Sequence, residues 1–249
     1  MSNTRELYNN EYKKFTPYFF ENKPIAAVDN YLDENSESLK NFLKQYFAQF
    51  NLESRLKTSS CLELGSGLGG LSLYLAKTFQ HFLGLDISEL AVLSAKEIAR
   101  IKKSEINYKQ FDVCAGRSIN EKYDFIIDSH LLHCLSSAKE RHNYLTFVKE
   151  HLTKEGVFLV ETMVFQPKMQ VPVGYYYEAS GELIRDLKGE LVPVRCLKSS
   201  VQIENELKGA GFKINYLYYH DELSINPFVE YTNHPHDLLP KIVRLSASL

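Results

Sequence analysis

Residues 61–70 read CLELGSGLGG, four glycines in a turn straight after a short apolar run and just ahead of a helical pattern, GLSLYLAKTF. Glycines at a strand-to-helix turn permit left-handed φ angles and let a ligand lie against bare backbone. The next apolar run, HFLGLD, ends in Asp86, where a carboxylate can accept both hydroxyls of a ribose. This combination restricts the chain to an open α/β sheet with a nucleoside-type ligand at the strand ends. The glycines fit two fingerprints. Gly65, Gly67 and Gly70 satisfy G-x-G-x-x-G, the loop that holds a pyrophosphate, whereas Glu63, Gly65, Gly67 and Gly69 satisfy an acid-x-G-x-G-x-G pattern suited to a ribose without phosphates. Asp86 serves either reading. Glu63 separates them, because a carboxylate two residues before the first glycine repels a pyrophosphate and attracts an amino group and a sulfonium cation.

The rest of the chain supports the α/β reading. CLEL, HFLGLD, INYKQFDV, YDFIID and GVFLVETMV read as short buried strands. Helical patterns separate them: SELAVLSAKEIARIKK with Ser88 as N-cap, and SSAKERHNYLTFVKEHL with a capping box at Ser137 and Glu140 and Leu145, Val148 and Leu152 on one face. Such alternation predicts a parallel sheet covered by helices on both faces. SSVQIENELKGAGF is a further helix, with a capping box at Ser199 and Gln202 and Gly211 at its end. KINYLYYHDEL and KIVRLSA then follow without a helix between them, so they can pair antiparallel. The expected fold is a three-layer α/β sandwich around a mostly parallel seven-stranded sheet, with one antiparallel strand near the C-terminus.

The whole chain, 1–249, reads as one domain in four parts: an N-terminal helical and aromatic segment (1–55), a ligand-binding half (56–164), an insertion (165–199) and a C-terminal helix with antiparallel strands (200–249). In the first part SESLKNFLKQYFAQF puts Leu39, Phe42, Leu43, Tyr46, Phe47 and Phe50 on one helical face, while YNNEYKKFTPYFFENKP shows no clear period. Lys188-Gly189 in the insertion suggests a hairpin turn. A net charge of -2 gives no electrostatic reason to expect nucleic acid or an anionic membrane as partner, and Arg100, Lys102 and Lys103 read as a solvated helix end. No stretch is apolar and long enough to span a bilayer, and the opening MSNTRELYNNEYKKF is too polar for a signal peptide. Cys61, Cys114, Cys134 and Cys196 are scattered and form no C-x-x-C pair, so a reducing cytoplasm is the expected location.

With these motifs in order, the sequence resembles the Rossmann-like (class I) S-adenosylmethionine-dependent methyltransferases, closely over about residues 59–165 and more loosely to the C-terminus. ELGSGLGG is similar to the family's first motif, GLDIS to its second, QFDVCAG to the adenine segment, YDFIIDSHLLHCL to the fourth strand beside the methionyl group, and HLTKEGVFLVETMV to the turn into the fifth strand. The resemblance implies S-adenosyl-L-methionine as cofactor, with S-adenosyl-L-homocysteine as product. It implies a donor site formed by Glu63, Gly65, Ser66, Gly67, Gly69, Asp86, Ile87, Asp112, Val113, Asp128 and Ser129. The chain departs from the family in Leu68-Gly69-Gly70, where many relatives carry a bulkier or polar residue after the third glycine. It also lacks an N-P-P-[YF] tetrapeptide after the fourth strand, which argues against methylation of DNA bases or protein glutamine.

The acceptor side is less constrained. Methyl transfer needs alignment and exclusion of water, and a base only where the acceptor loses a proton. DSHLLHC offers His133 and His130 as proton acceptors after the fourth strand, each weighed against a structural histidine. His130-x-x-His133-Cys134 lacks the further ligands a metal needs. Glu161 could face the acceptor or sit in a salt bridge. Tyr175, Tyr176 and Tyr177, with Tyr8, Tyr12 and Phe15, either cover the site as lids or dock the flanks on the core. The expected activity is methyl transfer to a small-molecule acceptor. The alternatives are a tRNA or protein acceptor, a nicotinamide-dependent oxidoreductase, and a non-catalytic protein that keeps the pocket.

Overall fold

The computed structural model describes residues 2–15, 26–228, 231 and 233–249. Its strands are β1 (Ser60–Leu64), β2 (His81–Asp86), β3 (Asn107–Gln110), β4 (Tyr123–Ser129), β5 (Leu152–Val164), β6 (Tyr175–Tyr177), β7 (Glu182–Leu187), β8 (Glu190–Cys196), β9 (Lys213–Ser224) and β10 (Lys241–Ser248). The α-helices are α1 (Ser2–Tyr12), α2 (Ala26–Gln49), α3 (Glu53–Leu56), α4 (Ser72–Thr78), α5 (Glu89–Ile101), α6 (Ala138–His151) and α7 (Ser200–Gly209). One seven-stranded sheet has the order β3-β2-β1-β4-β5-β10-β9, and β6-β7-β8 form a separate three-stranded sheet. β1 pairs parallel with β2 and β4, and β2 with β3; β10 runs antiparallel to both β5 and β9. The mostly parallel sheet with one reversed strand is therefore as expected, and the reversed strand is the latest in the chain. Parallel strands are buried on both faces, which is why Phe125, Ile126 and Ile127 of β4 form an unbroken apolar run and Cys61, Leu62 and Leu64 of β1 are buried on either side of Glu63.

The chain divides into two compact units, residues 1–113 with 120–129 and residues 114–119 with 130–249. In the first, α5 packs on β2 and β3 and starts where expected, with the Ser88 hydroxyl accepting from the Ala91 N–H at 3.1 Å. Helix α2 buries Leu39, Phe42, Leu43, Tyr46 and Phe47. Phe50 lies just beyond the helix and is largely exposed, its ring 4.5 Å from that of Tyr46. The region that shows no period in the sequence is partly helical: α1 covers residues 2–12, and a 3-10 turn at 13–15 buries Phe15 with Val28, Leu32, Leu68 and Ile98. Residues 16–24 of that stretch lie outside the described residues. The helix end at Arg100, Lys102 and Lys103 is solvated as expected, with Arg100 on Glu97 and Lys102 on Asp29.

Gly70 shows why the departure in the glycine loop is tolerated. A Cβ there would lie 2.8 Å from the Leu32 carbonyl oxygen and 3.3 Å from its Cα, so the backbone of α2 fills the space a side chain would need. Gly70→Ala is expected to destabilise the protein by about 1–3 kcal/mol, the range for overpacking against atoms that cannot swing aside. Urea denaturation measures this, and an unchanged midpoint would show that α2 is free to shift.

In the second unit, both expected capping boxes form, Ser137 with Glu140 on α6 and Ser199 with Gln202 on α7. Helix α6 ends at His151, so Leu152 opens β5 rather than extending the helical face: its backbone is extended at φ -83, ψ 137. The β7–β8 hairpin turns at Lys188 and Gly189, with φ of 60 and 93, the doubly left-handed two-residue turn that suits paired strands. Tyr175 is buried with Met163, Leu183, Leu197 and Phe228. Tyr177 stacks on Phe165 at 4.9 Å and donates to the Leu197 carbonyl, while Tyr176 is exposed. Two of the three insertion tyrosines thus dock the insertion onto the core of this unit.

Candidate active site

The donor-side residues lie in the first unit, around the turn between β1 and α4. Gly65 N and Ser66 N both donate to the Leu85 carbonyl at 2.9 Å, fastening the turn to β2. Gly65, Gly67 and Gly69 are left-handed, with φ of 76, 52 and 84, and Gly70 is not among the left-handed glycines. The conformational pattern is thus that of acid-x-G-x-G-x-G, with Gly70 set by its approach to Leu32. The Gly67 N–H donates to Asp86 Oδ2, and the Ser88 N–H donates to Oδ1, both at 2.8 Å. Each carboxylate oxygen so held retains a lone pair for another donor. Burial pushes the Asp86 carboxyl up, against the backbone N–H groups that favour its charged form.

Glu63 is fully buried on β1. Its Oε2 accepts from the Ser72 hydroxyl at the start of α4, and its Oε1 has no hydrogen-bond partner among the described residues. Burial pushes its pKa up to about 7, against the Ser72 and Ser129 hydroxyls and with a further push from Asp86. The hydroxyl of Ser66 is likewise buried without a partner among the described residues. Buried polar groups are almost always satisfied, so two orphaned oxygens beside bare glycine backbone are suited to a polar ligand. Helix α1 reaches the same place: Asn9 Oδ1 accepts from the Ser88 hydroxyl at 2.7 Å, and the Tyr12 hydroxyl lies 2.9 Å from where a Cβ on Gly67 would sit. Burial, with Asp86 close by, raises the Tyr12 pKa well above the ordinary phenol value. Asp112 and the buried Val113 follow β3, where Phe111 N donates to the Asp86 carbonyl at 2.8 Å. Asp128 and Ser129 end β4.

The second unit begins again at His130, which is left-handed at φ 63. Its Nε2 lies 2.9 Å from Glu161 Oε1, and Glu161 Oε2 accepts from Arg244 Nε at 2.7 Å. Glu161 on β5 and Arg244 on β10 are register partners. Burial pushes the Glu161 carboxyl up, but His130 and Arg244 outweigh it and hold it below the usual carboxylate range. His133 sits in a 3-10 turn, 3% exposed, with Nδ1 accepting from the Met163 N–H at 3.3 Å and 3.2 Å from the Thr162 hydroxyl. Burial, with His130, Arg195 and Arg141 nearby, holds its pKa well below the ordinary imidazole value. The turn is tied down by Arg141, whose Nη1 donates to the Leu132 carbonyl at 2.6 Å.

A methyltransferase-domain family model matches residues 62–158, the stretch from β1 to the middle of β5. Over that stretch the chain is similar to a methyltransferase domain. A crystal structure of an S-adenosylmethionine-dependent methyltransferase from Clostridium acetobutylicum is similar in fold, with a TM-score of 0.62 at 14% identity over 98% of this chain and 99% of that one. The PH0226 protein from Pyrococcus horikoshii gives 0.64 at 16% identity, covering 96% and 98% of the two chains. The glycopeptide N-methyltransferase MtfA in complex with S-adenosylmethionine gives 0.55 at 17% identity, covering 82% and 86%. No curated protein matches the sequence.

The orphaned Glu63 Oε1 and Ser66 Oγ fit a ligand that brings an ammonium and further polar groups to the turn. Glu63, Gly65, Ser66, Gly67, Gly69, Asp86, Ile87, Asp112, Val113, Asp128 and Ser129 fall in the first unit, and His130 and His133 in the second. Sequence reading missed Ser72, Asn9, Arg141 and Arg244. Ser72 was the most accessible of these, a hydroxyl at the start of the helix that follows the glycines. No helix among the described residues is long and apolar enough to cross a membrane.

Proposed function

We propose that this methyltransferase carries the methyl group of S-adenosylmethionine to a small-molecule acceptor, with the donor seated at the turn between β1 and α4. The observation that carries the donor half is the pair of orphaned buried oxygens, Glu63 Oε1 and Ser66 Oγ, beside left-handed Gly65 and Gly67. Glu63 and Ser66 then receive the amino-acid end of the donor. Asp86, fixed by two backbone N–H groups, accepts the ribose hydroxyls with Ile87 beside it. Asp112 and Val113 hold the adenine, and Asp128 and Ser129 flank the methionyl chain. Bound there, the donor supplies an electrophilic methyl on a sulfonium and leaves as a neutral thioether.

For the acceptor, the net charge of -2 favours a small molecule over tRNA. MtfA, similar in fold, is a glycopeptide N-methyltransferase, which agrees with an acceptor outside nucleic acid. Four free cysteines suit a reducing cytoplasm.

Thermal melting tests the donor site against the dinucleotide alternative. S-adenosylhomocysteine at about a hundred times its dissociation constant is expected to stabilise by about 2.7 kcal/mol. For a chain of this size that raises Tm by roughly 5–10 °C. NADH should leave Tm unchanged. A shift with NADH and none with S-adenosylhomocysteine would reverse the reading.

A further inference from the structure

We propose that Ser72 and Tyr108 are positioning residues for the amino-acid end of the donor: Ser72 fixes one oxygen of Glu63 so that the other is left for the ligand's ammonium, and Tyr108 steadies Ser72 and the glycine turn. The inference rests on the methyl-donor reading above and names the side chains that shape this end of the site. Every residue it uses lies in the first compact unit.

Ser72 gives the first argument. A serine at a helix start ordinarily turns its hydroxyl to the backbone as a cap. Helix α4 has no side-chain cap, and the fully buried Ser72 hydroxyl donates instead to Glu63 Oε2. A hydroxyl has one hydrogen to give, so it commits one carboxyl oxygen and not both. The other, Oε1, is buried without a hydrogen-bond partner among the described residues. One oxygen anchored and one open is the arrangement that receives an ammonium in a fixed direction. A carboxyl satisfied at both oxygens would have to break a bond first.

Tyr108 gives the second. It is buried on β3, and glycines of two other segments make room for it. A Cβ on Gly84 of β2 would lie 2.8 Å from Tyr108 Cδ1, and one on Gly69 would lie 2.3 Å from its hydroxyl oxygen. The ring therefore rests on bare backbone of β2 while its hydroxyl reaches the glycine turn. Burial pushes the phenol's pKa up, the nearby Ser72 hydroxyl opposes this, and Glu63 adds to it. A phenol in that setting keeps its hydrogen and can offer it to Ser72, whose own hydrogen is committed to Glu63. The chain of groups runs from Tyr108 to Ser72 to Glu63 and ends at the open oxygen.

The arrangement also sets the pH at which the site is ready. Glu63 is faced by Ser72 of α4, Ser129 of β4, Asp86 of β2, Tyr108 of β3 and Cys61 of its own strand. Burial pushes its pKa up, the Ser72 and Ser129 hydroxyls oppose that, and Asp86 adds to it. Removing the Ser72 hydroxyl therefore raises the pKa further. Since an ammonium favours the ionised carboxyl, affinity then needs a higher pH to reach its full value.

Two ligands separate positioning from mere support of the turn. S-adenosylhomocysteine carries the amino-acid end, whereas methylthioadenosine keeps the adenosine and the thioether and lacks the ammonium. Titration calorimetry of both is run on the full chain from about one pH unit below to about two above neutrality, a span that crosses the Glu63 titration. Ser72→Ala is expected to weaken S-adenosylhomocysteine about tenfold at neutral pH, the value of a hydrogen bond to a charged group. That loss should narrow as pH rises, and methylthioadenosine should bind as in wild type. Tyr108→Phe should move the profile in the same direction by less, and Ser72→Thr, which restores the hydroxyl, should recover most of the affinity. Equal losses for both ligands at every pH would make Ser72 a support of the fold only, and no loss for either would detach it from the site; each result overturns the proposal. An unmoved profile in Tyr108→Phe would overturn the tyrosine's share. Urea denaturation reads the folding of each variant, and if Ser72→Ala does not fold, Ser72→Cys, a weaker donor of similar size, makes the same comparison. Wild type that binds neither ligand would sink the donor reading itself, whereas wild-type binding with unmoved variants removes only the positioning residues.

Discussion

Glu63→Gln is expected to weaken S-adenosylhomocysteine binding by roughly ten- to a hundredfold, the value of a charge-assisted hydrogen bond. At the same time it should stabilise the ligand-free protein above neutral pH. Both effects follow from a fully buried carboxyl whose pKa is pushed up to about 7 and whose Oε1 has no hydrogen-bond partner among the described residues. The unfolded chain releases this proton near 4.5, whereas the folded chain keeps it to about 7. Between those values the native state binds the extra proton, so Glu63's contribution is fully present below about 4.5 and is lost as pH rises through 7. The difference amounts to about 3 kcal/mol, at 1.36 kcal/mol for each pKa unit. Glutamine cannot ionise and should flatten that part of the profile. An ammonium arriving at Oε1 favours the charged form, so wild-type affinity should rise with pH up to about 7 with release of a proton. Urea denaturation on both sides of that range, with calorimetry in buffers of different ionisation enthalpy, measures both effects. Equal affinity and equal pH slopes in the two proteins would mean that Glu63 is a structural acid.

Arg141→Met is expected to lower stability by about 3–5 kcal/mol, the range for removing one partner of a buried pair. Arg141 is 1% exposed at the start of α6, and its Nε and Nη2 form a fork on Glu206 of α7 at 2.8 and 2.5 Å. Its Nη1 also supports the Leu132 carbonyl, so one side chain ties two helices to the turn that carries His133. Burial pushes the Glu206 carboxyl up, but Arg141 and Lys198 together hold it below the usual carboxylate range. Lys198, 2.9 Å from Glu206, remains in the variant and favours the lower end of the range. Denaturant unfolding at neutral pH, combined with Glu206→Gln in a double-mutant cycle, isolates the pair. A loss below about 1 kcal/mol would be that of an exposed salt bridge and would refute the buried role.

The elements of the sheet were legible because each announces itself locally. Buried parallel strands are continuous apolar runs, Ser137 with Glu140 and Ser199 with Gln202 are three-residue signals, and Lys188-Gly189 is a turn in itself. Helix α1 was not legible: SNTRELYNNEY has no apolar stripe, and its described anchors, Asn9 on Ser88 and Tyr12 against Gly67, lie more than fifty residues away. Leu152 was misread for the opposite reason, since it continues the helical period of α6 and yet begins a strand. On the acceptor side, His130 and His133 look alike in the sequence, three residues apart in DSHLLHC. They part only through contacts with β5, about thirty residues on, and with Arg244, eighty-three residues from the glutamate it holds. Arg141 reads as one more surface charge on a polar helix, and nothing local marks it as buried.

The place of β10 has a consequence for how the protein is made. β9 lies at the edge of the large sheet, hydrogen-bonded to β10 and separated by it from β5. While the ribosome is still adding residues up to 240, β9 has no neighbour to pair with, and β5 lacks the strand that will flank it on that side. The exposed strand edges of such an intermediate favour association between nascent chains. Only when Lys241–Ser248 emerges can a single strand slide between the two and satisfy both at once, bringing Arg244 to Glu161 in the same event. Assembly of this half of the sheet therefore waits for β10, and the pairing of Glu161 with Arg244 forms only with it.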